Sequence, residues 1–216
     1  MPGPDSAKVL QQIDHLIYGA PDLEVTVAAL EDRFGVRASK GGSHPGEGTR
    51  NALYSLGAGV YLEILAIDPD QPDPNRPRWL GIDDLEQPRI LTWVAKGSNL
   101  GRLVVQAAEE GVHLGPVLAG SRHQSDGSNL HWHVTDPHVT VADGIVPFFI
   151  DWRDTPHPSQ SAAKGLVLKE LRGEHPDVGG TRQTLQTLGL KLPVDAGATA
   201  ALIATLDTPR GLVELR

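Results

Sequence analysis

Apolar and polar positions follow one another in the same order three times along the chain. In the first pass, 13–18 reads as a short strand, and Pro21-Asp22 breaks it with Asp22 placed to cap a helix. Leu23, Val27, Leu30 and Phe34 then recur at helical spacing and predict a helix over 23–34. A loop over 41–49 leads to strands over 51–56 and 60–66, with Gly57 and Gly59 forming the turn between them. The second pass predicts a strand over 89–95, a helix over 100–111 and a polar, glycine-containing loop over 120–127. Strands over 130–135 and 146–152 follow, with a turn near Asp143-Gly144. The third gives a strand over 166–172, a helix over 178–188 and strands near 200–206 and 211–215.

The passes share their punctuation. Gly35, Gly111 and Gly189 each end a helix, and each pass closes on an apolar run carrying one acid: Glu63, Asp151 and Glu214. This predicts an α+β fold of repeated strand–helix–strands modules over 13–67, 88–154 and 165–216. The connectors 68–87 and 155–164 are rich in Pro with Asp or Ser. An acid returning to one place in a strand points to a shared cavity.

Composition narrows the function classes. The net charge is −8 with scattered basic residues, which disfavours a nucleic-acid partner. With no cysteine, thiolate metal sites, disulfides and cysteine nucleophiles are excluded. The first twelve residues lack the apolar core of a signal peptide, and no run is long enough to span a membrane. The expectation is a cytoplasmic protein with a small-molecule ligand and no membrane partner.

Several motifs resemble the vicinal oxygen chelate (VOC) superfamily, and within it the glyoxalase-like domain proteins. They are Ile13-Asp14-His15-Leu16, the loop from His44 to Asn51, Tyr61-Leu62-Glu63-Ile64, Arg76-Pro77-Arg78-Trp79, Gly120-Ser121-Arg122 and the run from Val146 to Trp152. The resemblance implies the glyoxalase/bleomycin-resistance-like fold, with two paired βαβββ modules and here a third, C-terminal one. Two functions follow from it. One is a glyoxalase-like lyase or isomerase, or a dioxygenase-type relative, acting on a small oxygenated substrate by acid–base or metal-assisted chemistry. The other is a non-catalytic binder of a drug or metabolite.

In metal-dependent relatives each module gives one ligand from its first strand and a carboxylate from its last. Carried over, this implies one divalent ion of open identity held by His15, Glu63 and Asp151, with Thr92 at the fourth place. His131 and His133 alternate around Trp132, so they share one sheet face. If that face lines the cavity they could add a nitrogen ligand. Without a metal, Glu63, Asp151 and His15 are the expected acid–base residues. His44, Thr49, Asn51 and Arg122 are expected to bind substrate from two glycine-containing loops, with Thr92, His131 and His133 nearby. Trp79, Trp93 and Trp152 read first as core residues, with flat apolar cavity walls as the alternative. Three modules in a fold that pairs them leave one sheet to be covered, by the chain or by a second subunit, and a homodimer is expected.

Overall fold

The computed structural model describes residues 9–57, 59–124 and 129–216, with only the backbone of His123 and Gln124. The first module runs β1 (Ile13–Gly19), α1 (Leu23–Phe34), β2 (Ser39–His44), β3 (Thr49–Ser55) and β4 (Tyr61–Ile67). The second runs β5 (Arg89–Lys96), α2 (Leu100–Glu109), β6 (Val117–Gln124), β7 (Asn129–Thr135) and β8 (Phe148–Asp151). Their eight strands close into one barrel in the order β1-β4-β3-β2-β6-β7-β8-β5. The modules meet along two antiparallel seams, β1 with β5 and β2 with β6.

Local chemistry sets the boundaries. Asp22 accepts from the Val25 N–H at 2.9 Å and starts α1. Gly35, Gly111 and Gly189, with φ of 76°, 81° and 69°, take the left-handed conformation that lets each helix stop. Part of the predicted 41–49 loop is instead strand β2. Gly41 belongs in it because a Cβ there would lie 1.9 Å from Asn51 Oδ1. Likewise β6 reaches Gln124 through the predicted 120–127 loop, whose Asp126 lies outside the described residues.

The last segment has β9 (Val167–His175), α3 (Val178–Thr187), β10 (Val194–Ala196), β11 (Ala201–Thr208) and β12 (Gly211–Leu215). Its chain order matches the modules but its wiring differs. In each barrel module the first strand pairs in parallel with the last, β1 with β4 and β5 with β8. Here β9 pairs in parallel with β10, and the sheet order is β10-β9-β11-β12. One face of this sheet, through Leu168, Leu171, Leu202 and Leu206, joins the core formed outside the barrel by Leu16, Phe34 and Trp93. The strands also carry ion pairs such as Lys169–Asp207 and Arg172–Glu174. The chain therefore covers its third sheet itself, which removes the reason given for expecting a homodimer. No helix among the described residues is long and apolar enough to cross a membrane.

A separate core fills the barrel: Ile17, Leu65, Leu91, Val94, Val134 and Ile150. The candidate site sits beside it.

Candidate functional site

The β1–β5 seam shows how the site is built. Leu16 lies opposite Trp93, and exchanging the modules maps the pair Ile17–Thr92 onto His15–Val94. The ladder skips one residue on each strand, Asp14 on β1 and Leu91 on β5, and these too are counterparts. Neighbouring strand residues normally point to opposite faces. The bulge at Asp14 re-aims its carboxylate, and Asp14 Oδ1 meets the adjacent His15 Nδ1 at 2.8 Å.

Asp14 is 2 % exposed and gathers donors from two parts of the chain. Besides His15 it receives Trp152 Nε1 at 3.1 and 3.2 Å and His157 Nε2 at 3.2 Å. Burial alone would raise its proton affinity. The hydrogen bonds and charge of His15 and His157 outweigh that and hold the carboxyl well below its ordinary value. An ionised Asp14 only accepts, so His15 Nδ1 donates to it, and Nε2 is the nitrogen left to face Glu63. Tyr61 stacks on the imidazole, with ring centroids 4.3 Å apart.

His15 Nε2 faces Glu63 Oε2 at 3.5 Å. Glu63 comes from β4, beside Ile17, and is 6 % exposed. Its Oε1 accepts from Asn51 Nδ2 at 2.6 Å and lies 3.6 Å from His44 Nε2. The Asn51 amide is oriented by its surroundings, because its Oδ1 accepts from the Gly42 N–H at 2.9 Å and from Arg122 Nη1 at 3.1 Å. The His44 ring is tied by Nδ1 to Thr49 Oγ1 at 2.9 Å. Burial pushes the His44 proton affinity down; the Glu63 charge opposes this and the Arg122 charge adds to it. His44 is therefore neutral near pH 7.

These groups line a cavity with about 30 Å³ of room, shared with Trp79, Trp132, Val134, Phe148, Ile150 and Trp152. Arg122 is 4 % exposed. Its Nε and the indole Nε1 of Trp79 are buried without a hydrogen-bond partner.

The structure thus brings together His15, His44, Asn51, Glu63, Trp79 and Arg122, with Thr49 behind His44. Asp151 is a correction. Trp152, Ile150 and Phe148 face the cavity, so Asp151 points outward, where its Oδ1 accepts from the Arg153 N–H. His131 and His133 are corrected for the same reason. Trp132 and Val134 face inward, while His133 lies beside Asp151 and accepts from Arg153 Nε at 3.0 Å. Thr92 is the register counterpart of His15, but it lies outside the cavity lining and its hydroxyl donates to Gly144 O at 2.9 Å. Of the three tryptophans read as core or wall, Trp93 is core, buried outside the barrel with Nε1 on Ile145 O. Asp14 and His157 were missed. Asp14 is visible only as an acid next to His15, and His157 is far away in sequence.

Register also settles what faces Glu63's place in the second module. Ile17 lies beside Glu63, and its counterpart Val94 lies beside Phe148. The positions matching His15 and Glu63 are thus Thr92 and Phe148. A divalent cation does not fit these residues. The second module offers a phenyl ring and an engaged hydroxyl, the Arg122 guanidinium shares the cavity, and the two imidazoles address opposite oxygens of one carboxylate. No group of three His, Asp or Glu among the described residues has metal-holding geometry.

One solved structure has this architecture over nearly the whole chain. A protein from Staphylococcus aureus described as hypothetical shares 12 % identity, with 94 % of this chain and 98 % of that one covered and a TM-score of 0.68. Methylmalonyl-CoA epimerase from Mycobacterium tuberculosis superposes more loosely, at 17 % identity, 69 % and 91 % coverage and a TM-score of 0.43. A Streptomyces coelicolor methylmalonyl-CoA epimerase variant gives 19 %, 68 %, 99 % and 0.44 in the same order. No curated protein matches by sequence. The family model described as a glyoxalase-like domain matches residues 13–189, both barrel modules and the chain through α3. The chain belongs to this glyoxalase-like domain family.

Proposed function

We propose that the cavity moves a proton at a carbon next to a carbonyl in a small oxygenated substrate, as a lyase or isomerase, with no metal in the step. Glu63 takes the proton, and the C–H electron pair passes into the forming enolate. The proton then returns to the other carbon or face, or a β-substituent leaves with its bonding pair. His15 Nε2 relays the proton to and from Glu63, its tautomer held by Asp14.

One observation carries this reading. A nearly enclosed carboxylate stands 3.5 Å from an imidazole nitrogen whose ring is fixed from behind by a second carboxylate. A buried carboxylate costs several kcal/mol when its partners are incomplete. Such groups concentrate at functional sites.

The test is NMR-detected exchange of substrate C–H for solvent deuterium over a panel of 2-oxo acids, 2-hydroxy acids and hydroxyketones. Glu63→Gln keeps the Asn51 contact but cannot act as base, and it should slow exchange by about 10²- to 10⁴-fold. Equal exchange in the variant defeats the reading. The apolar wall of Trp132, Val134, Phe148 and Ile150 favours a second one, binding without chemistry. That reading expects ligand stabilisation unchanged in Glu63→Gln and no exchange in either protein.

A further inference from the structure

We propose that the Arg122 corner of the cavity is a subsite for the carboxylate of a singly charged substrate. This deepens the acid–base reading and rests on it for the role of Glu63. Arg122 is buried on β6, and its one described hydrogen bond is to the amide oxygen of Asn51. It makes no ion pair among the described residues, and its Nε is left without an acceptor. A desolvated guanidinium with unfilled donors is costly unless an anion completes it.

A second donor points to the same cavity. Trp79 Nε1 is also buried and unpartnered, and the Trp79 side chain lines the cavity from the connector rather than from a barrel strand. Two unfilled N–H groups, one of them on a guanidinium, favour an oxygen-bearing anion over an amine at this corner. Arg122 recognises carboxylates through a planar fork, and Trp79 adds one N–H. The charge of Glu63 in the same cavity argues against a dianion.

The room, about 30 Å³, is that of roughly one water molecule. A carboxylate head fits only if the wall yields a little, so the substrate must be small or extend past Trp79. That wall is half-buried, and it is followed by left-handed Leu80 and Gly81, φ 58° and 65°.

The experiment is calorimetric titration and thermal shift of the full chain with formate and acetate, against acetamide and inorganic phosphate. It is run in wild type, Glu63→Gln, Arg122→Gln and Trp79→Phe. The carboxylates should bind and raise the Tm of wild type and Glu63→Gln, and the neutral amide and phosphate should not. Arg122→Gln should weaken binding about tenfold or more, and Trp79→Phe, which keeps most of the ring and loses the N–H, by about two- to fivefold. If Arg122→Gln does not fold, Trp79→Phe decides. The proposal is overturned by carboxylate binding that ignores both substitutions, by acetamide or phosphate binding as well as acetate, or by no carboxylate binding at all. Because binding is read in Glu63→Gln, where proton transfer is disabled, its loss speaks against the subsite alone. Carboxylate binding without deuterium exchange speaks against the acid–base reading alone.

Discussion

The two halves of the barrel share a backbone plan and differ in what they do with it. Both seam strands carry a bulge at matching places, yet the bulged residue is Asp14 in one and Leu91 in the other. Behind them His15 answers to Thr92 and Glu63 to Phe148. One wall is therefore an acceptor-rich network and the other is apolar, with Arg122 the charged group it lends to the cavity. Repetition of a fold preserves register and pairing because every strand depends on them. Side chains facing the cavity are free to diverge as long as volume and hydrogen bonding are satisfied. The apolar half has its own use, since it lowers the local dielectric and so strengthens the few polar contacts opposite.

The largest expected effect comes from making the halves alike. Phe148→Glu places a carboxylate at the counterpart of Glu63, inside an apolar wall. It removes a buried ring and buries a charge, and should cost about 3–5 kcal/mol or more in urea unfolding. Manganese or zinc should recover part of that loss and should leave the wild-type Tm unchanged, because only the variant holds carboxylates on both walls. A wild-type Tm that climbs with either cation would restore a native metal site and break the comparison.

A smaller effect separates two glycines that make room for opposite kinds of side chain. A Cβ on Gly41 would collide with Asn51 at 1.9 Å, and one on Gly120 with the Trp132 indole at 2.3 Å. Either Gly→Ala change should cost roughly 1–3 kcal/mol through overpacking. Only Gly41→Ala displaces the amide that holds Glu63, so only it should also depress deuterium exchange, measured well below each variant's melting temperature. Equal losses of exchange in both variants would mean that the apolar wall takes part in the chemistry.

These contrasts explain what could be read in the sequence. The repeated helices α1, α2 and α3, the Asp22 cap of the first and their closing glycines depend on neighbours in the chain, so periodicity exposes them. Glu63 and His15 were legible as an acid and an imidazole in apolar strands. Asp151 misled because strands are read by alternation, and its run was matched to the Glu63 run out of phase, which turns a side chain to the other face. Strand β2 was partly hidden by glycines, whose reason is a contact with Asn51 nine or ten residues away across the sheet. The Asp14–His157 contact joins residues 143 apart and has no local signature. Wiring of the last sheet was equally unreadable, since β9 pairs in parallel with β10 although strand order along the chain repeats that of the modules.

The gentlest probe of the asymmetry is pH, because the polar wall titrates and the residues Val134, Phe148 and Ile150 opposite do not. Burial, aided by Arg122 and opposed by Glu63, Glu47 and Asp68, lowers the His44 proton affinity from its ordinary 6.5. Below that value the unfolded chain takes up a proton that folded His44 refuses, so stability falls with acid, by at most about 1.4 kcal/mol per pH unit. Asp14 acts in the same direction further down. Its folded value is depressed from 3.8, so its stabilisation is complete above that pH and is lost as pH drops below it. Of these two effects only the first operates between pH 7.5 and 5.5, and wild type should lose stability in urea unfolding from it. His44→Gln removes the titrating ring while leaving a polar side chain, and that increment should disappear from its pH dependence. An unchanged slope in the variant would mean that His44 is protonated in the folded protein as readily as in the unfolded one. In that case the network around Glu63 would contain a cation, and the division between an acceptor wall without cations and a cationic Arg122 corner would fail.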